Sequence, residues 1–215
     1  HESMAQDLRQ VLKVCLKDNE SDPKKRETIL RQALEMFPSF MIAANDLAAL
    51  LIERGEPDPE LLEKFAGEKA PVAVNTNHAI ALLKDQQYGE ADEIMSYVPK
   101  TDNTRLLHAV NGAFNGRYED NYSVIAATSK RNNLLMLLAM KRNSEALKLS
   151  RELPDDEALT HYLRAVCLNR AEDAVGAYDE LKRAFEMDPS LKNIAHVDGD
   201  VNDLLVEKHN KEGLQ

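Results

Sequence analysis

THYLRAVCLNRAEDAVGAYDELKRAFEMDP, residues Thr160 to Pro189, is the stretch whose reading decides the fold. Ala165, Leu168, Ala177, Leu181, Ala184 and Pro189 succeed one another at spacings of 3, 9, 4, 3 and 5. This pattern reads as a helix, a short turn, a second helix and a proline stop. Small alanines at 165 and 177 let two antiparallel helices approach closely. Leu181 and Phe185 fill the apolar face of the second helix, and Pro189 prevents its continuation.

The same frame recurs upstream. Ala79, Leu82, Ala91, Met95 and Pro99 repeat it, with Tyr88 and Gly89 in the turn. Ala109 and Gly112 open a weaker copy, completed by the turn Asn115-Gly116-Arg117-Tyr118. Leu134, Leu137, Ala146 and Pro154 give a shortened one. Ala33, Phe37 and Pro38 end a first copy, and Leu47, Ala48 and Leu51 open the second. The anchors Ala48, Ala79 and Ala109 lie 31 and 30 residues apart, and Leu134 to Ala165 is again 31. This periodicity resembles the tetratricopeptide repeat, whose pattern has small residues at positions 8, 20 and 27 and proline at 32. The resemblance spans about residues 8 to 205 and implies an all-α fold. That fold is a right-handed α-α superhelix, a solenoid of about five to six helix pairs with a C-terminal capping helix. The expected division of the single array 1–215 is 8–38, 40–70, 72–99, 102–127, 130–154 and 157–189, then a cap at 190–208 and a tail at 209–215. Departures from the pattern are the missing large aromatic early in each first helix and turns of varying length. Residues 33–38 and 43–48 also resemble envelope-associated repeat proteins of Bacteroidetes, where such arrays often follow an exported β-rich or OmpA-like segment.

Physics and composition agree with that reading. A lone helix pair cannot bury both apolar stripes, so each repeat leans on its neighbours. The 215 residues are 43% hydrophobic and 30% charged, which excludes a disordered or collagen-like chain. Aromatics are 5% and Trp is absent, too thin for an all-β core. A net charge of −10 argues against a nucleic-acid partner. Apolar runs such as Leu134 to Met140 are far short of the ~20 residues a bilayer crossing needs, so no direct membrane insertion is expected. The chain begins at His1 rather than Met, as a trimmed fragment would. Its compartment then depends on what precedes it: periplasmic or outer-membrane-associated with an export signal, cytoplasmic without one.

Candidate chemistry is sparse. There is no metalloprotease HExxH, no phosphate-binding loop, no GxSxG elbow and no GxGxxG run, so no catalytic residue and no cofactor is expected. Cys15 and Cys167 are too few for a disulfide framework or a zinc site and read as buried thiols. Asp198, Asp200 and Asn202 open like a calcium loop, but Asp203 stands where glycine is needed and His209 where a bidentate Glu is needed. These carboxylates read instead as helix caps, as do Asp155 and Asp156. His78 and His108 share one repeat position and read as hydrogen-bonded histidines between helices, not metal ligands.

The resemblance places binding on the inner groove, lined by residues two, five, nine and twelve of each first helix. Those are Ile42, Asn45, Ala49 and Ile52; Ala73, Thr76, Ile80 and Leu83; Asn103, Leu106, Val110 and Ala113; then Leu159, Tyr162, Val166 and Asn169. The alternative for each is ordinary packing between helices. The mixture is apolar with amides, and it lacks the Lys and Arg set with which co-chaperone members hold a peptide carboxylate. The expected function is a non-catalytic scaffold binding a peptide or protein segment on the concave face. The alternative is a structural or assembly module of a larger exported envelope protein with no ligand of its own. An all-α enzyme ranks third.

Overall fold

The computed structural model of the protein describes residues 22–206, all helix and turn, divided at Arg117 into two compact units. The predicted first helix of the 8–38 repeat, with Cys15, and the tail from Glu207 lie outside the described residues. In the first unit, α1 (Pro23–Met36) and α2 (Met41–Glu53) lead to the single turn α3 (Glu60–Glu63). Next come α4 (Val72–Lys84), α5 (Tyr88–Met95) and α6 (Arg105–Phe114). The second unit begins with α7 (Tyr118–Ala126), α8 (Lys130–Ala139) and α9 (Asn143–Ser150). It ends with α10 (Ala158–Arg170), α11 (Ala174–Met187), α12 (Leu191–Val197) and a helical turn at 202–206. The boundary between units falls inside the predicted repeat 102–127.

Helix starts arise from local chemistry. Asp22 caps α1, accepting from the Lys24 and Lys25 amides at 3.0 and 3.3 Å, and Pro23 supplies a preset first-turn φ. Ser129 caps α8 and Asp173 caps α11 in the same way. At Gly176 a Cβ would come within 2.5 Å of the Asp173 carboxylate, so any larger residue there would have to shift the capping side chain.

The helix ends carry the repeat more clearly than the side chains do. Gly55, Gln86, Gly116, Lys141 and Glu172 all take positive φ, between 57° and 85°, directly after α2, α4, α6, α8 and α10. In each, the next amide returns to a carbonyl five residues back: Glu56 to Leu51, Gln87 to Leu82, Arg117 to Gly112, Arg142 to Leu137 and Asp173 to Leu168. This is the Schellman closure, which turns the chain sharply enough for the next helix to pack back. Three of the five positions are not glycine, so the local backbone strain is overcome by the packing it permits. The turns thus share one geometry, and only the first is lengthened, by Pro57 to Pro59.

The small anchors are where the frame puts them. Ala48, Ala79, Ala109, Ala165 and Ala177 are buried, as are Leu134 and Leu181. Among first helices, α2 packs on α4 and α4 on α6; α10 packs on α11 as a pair. The second helix of the 40–70 segment is only one turn long. Gly67, at φ 136°, bends the chain away, and the buried Asn75 side chain fixes the bend by bonding both its amide and its carbonyl at 2.9 Å. Among the described residues no helix is long and apolar enough to cross a membrane.

Candidate binding faces

Three of the four predicted rows lie in the first unit. On α2, Ile42, Asn45, Ala49 and Ile52 are half-buried; on α4, Ala73 is exposed, Thr76 and Ile80 are half-buried and Leu83 is buried. In the third row, Asn103 falls in the turn before α6 and is exposed; on α6 itself Leu106 is exposed while Val110 and Ala113 are half-buried. The rows of α2 and α4 are tied by one polar link. The Asn77 side-chain Nδ2 donates to the Asn45 side-chain Oδ1 at 2.8 Å. Thr76 spends its hydroxyl on Val72 in its own helix at 2.8 Å. Leu83 belongs to a cluster with Leu82 and Ala91, which is packing rather than display.

Next to this face, Phe114 is 52% exposed and stacks on Tyr88 with ring centroids 4.7 Å apart. Asn111, which the repeat frame does not single out, is buried and donates to Asp92 at 2.9 Å; Arg117 holds the same carboxylate at 2.7 Å. The Arg117 guanidinium holds the Asp92 carboxyl below its ordinary range. The sequence signal for Asn111 is modest: a polar residue at a position facing the core.

The fourth row, on α10, is built differently. Leu159 is partly exposed, but Tyr162 and Val166 are 5% and 4% exposed and sit in the large cluster that runs from Leu134 to Leu204. The Tyr162 hydroxyl donates to Asp198 at 2.7 Å, and burial, then that carboxylate, raises its pKa. Asn169 donates to the Asp200 carbonyl at 2.7 Å and to the Asp203 carboxylate at 3.0 Å. Arg170 grips both oxygens of Asp200 at 2.9 Å and reaches the Leu138 carbonyl at 2.7 Å. Within the predicted cap at 190–208, the described residues form α12 and then a second short helical segment that starts at Asp198, whose carbonyl accepts from the Val201 and Asn202 amides at 3.1 and 2.9 Å. Asp198 ends α12, caps the next turn through the Asp200 amide at 2.9 Å, and Val201 and Leu204 are buried. The calcium-like carboxylates are engaged by protein groups.

The remaining candidates resolve into packing. His108 donates to the Val98 carbonyl at 2.9 Å, whereas His78 is buried and its Nδ1 has no partner. Burial lowers the His78 pKa. Asp155 does not cap α10. Its carboxylate pairs with Arg164, which lowers its pKa, and its carbonyl lies 3.1 Å from His161 Nε2. That ring also meets Glu180 at 2.6 Å, so the segment before α10 is pinned to α11. Cys167 is a buried free thiol whose pKa burial pushes up. Among the described residues no three of His, Cys, Asp and Glu converge as a metal site.

No family profile matches the chain, and no curated protein matches it significantly. Among solved structures it is similar to a tetratricopeptide repeat protein from Parabacteroides merdae, at TM-score 0.50 and 14% identity. The match covers 94% of this chain and 97% of that one. Buried small anchors, five helix ends of one geometry and this likeness converge: the chain has the helix-pair fold of the tetratricopeptide repeat.

Proposed function

We propose that the protein is a non-catalytic scaffold that holds an extended segment of a partner protein along α2, α4 and α6. The observation that carries this reading is the Asn45–Asn77 amide pair, set among half-buried Ile42, Ala49 and Ile80. Each amide can exchange its bond to the other for bonds to a partner's backbone, at little enthalpic cost. The apolar neighbours then gain about 25 cal/mol for each Å² they lose to water. A face of this kind, mostly neutral, selects extended apolar segments rather than charged ends. The stacked-repeat fold supports the reading, since such arrays offer extended surfaces for protein partners.

Panning a displayed peptide library on the full chain tests this. Ile80→Arg and Leu106→Arg should each weaken the selected peptides by about tenfold or more. Peptides that bind both variants unchanged would sink the assignment. A structural module without free ligand is the second reading, favoured by the self-covered row on α10; a folded chain that selects nothing would support it. An envelope setting would make the partner another exported protein, and fractionation of the native host tests that placement.

A further inference from the structure

We infer that His161 is a proton-operated joint of the second unit: it ties the segment before α10 to α11 only while both of its ring nitrogens carry hydrogen.

The hydrogen count follows from what the ring touches. His161 is 5% exposed, so protein groups rather than bulk water serve its two nitrogens. Nε2 lies 3.1 Å from the Asp155 backbone carbonyl, which can only accept, so this bond needs a hydrogen on Nε2. Nδ1 lies 2.6 Å from a Glu180 carboxyl oxygen. A ring already holding its one hydrogen on Nε2 turns a bare lone pair toward that carboxyl. Arg183 stands 3.7 Å from the other Glu180 oxygen, a cation suited to a carboxylate, so the second hydrogen belongs on the ring. The Nδ1–Glu180 contact then has the short length of a charge-assisted bond.

The other charges around α10 are accounted for. The Asp155 carboxylate goes to Arg164, on α10 itself, and Asp198 and Asp200 go to Tyr162 and Arg170. On α9, which packs on α10, Glu145 and Lys148 are exposed. A ring with a single hydrogen can serve Glu180 or Asp155, and the contact left over sets two acceptors against each other away from water. In the unfolded chain the same proton is lost to water without that penalty. The stabilisation of this joint is therefore present at mildly acidic pH and lost as pH rises. His78 in the first unit has the opposite sign, because its burial favours the uncharged ring.

The test compares the full chain with His161→Gln, whose side chain does not titrate, by urea unfolding at pH 6 and at pH 9. Methyl signals of the buried Leu163 and Leu181 report the second unit. The factor by which the substitution raises the unfolding constant should be about tenfold larger at pH 6 than at pH 9. Equal factors at the two pH values overturn the inference. Should the variant not fold, ring nitrogen spectra of the wild type at pH 6 decide. Hydrogen on both His161 nitrogens supports the joint, and a bare nitrogen overturns it. Neither result touches the face on α2, α4 and α6, whose own variants report separately.

Discussion

The first-helix rows of α4 and α10 occupy the same place in the repeat yet meet different fates. On α4, Thr76 and Ile80 stay half-exposed, and the polar link there joins one first helix to its neighbour. On α10, Tyr162 and Val166 are core, because the chain returns over them as Asp198 to Leu204. The cores differ in step with this. The second unit has one hydrophobic cluster from Leu134 to Leu204, whereas the first has smaller ones around Leu47, Ala48, Ala79 and Leu82. A repeat frame fixes which side chains point along a face. Whether that face is displayed or buried depends on the path of the chain beyond the repeat.

The largest expected effect separates the two faces by truncation. Leu204→Ala should destabilise the second unit by about 2–5 kcal/mol, because a fully packed side chain leaves a cavity. Leu106→Ala, at a site 46% exposed, should change stability by no more than about 0.5 kcal/mol. Urea unfolding of both variants checks this, and equal losses would erase the contrast. Next in size, Ala177→Leu should overpack the α10–α11 crossing and cost about 1–3 kcal/mol. Hydrogen exchange should then rise in the second unit while amides near Ala48 keep their protection. A uniform loss from Ala33 to Leu204 would contradict nearest-neighbour stacking.

Smaller effects sharpen the polar side of the comparison. Asn77→Ala removes the amide pair and should cost about 0.5–1.5 kcal/mol in the first unit, measured by thermal unfolding. Acid should act on the first unit in two windows. His78 has its folded pKa lowered by burial, so the folded state binds fewer protons than the unfolded one, and stability declines as pH falls below the unfolded value of about 6.5. Glu27 is lowered to about 2, by Arg54 first and then Arg31. Its contribution is present above the ordinary carboxylate value and fades as pH falls toward 2. A midpoint-versus-pH curve in which His78→Gln flattens only the upper window would separate them; an unchanged curve would refute the His78 assignment.

Much of the fold is legible in the sequence because close helix crossings demand small side chains, and Ala79, Ala165 and Ala177 are visible as letters. The common turn is not. Gln86, Lys141 and Glu172 adopt a conformation usually reserved for glycine, under tertiary packing that no single residue announces. The one-turn α3 is also hidden, since its cause is a backbone bend held by the distant side chain of Asn75. The candidate face is legible as periodicity on α2 and α4. Tyr162 and Val166 carry the same periodicity, and only the return of 198–206 shows that they are covered. His108 is legible as a hydrogen-bonded packing histidine, with the Val98 carbonyl as its partner, while His78 is buried with one ring nitrogen unpaired, which the frame does not announce.

The central claim is that partner segments lie on the displayed face of α2, α4 and α6. The most direct measurement is site-specific photocrosslinking of a selected peptide to the full chain. A photoreactive side chain is placed in turn at Thr76, at Val110 and at Glu93, an exposed position on the second helix α5. Crosslinks are expected from Thr76 and Val110 and none from Glu93. Crosslinks from Glu93 alone would contradict the claim.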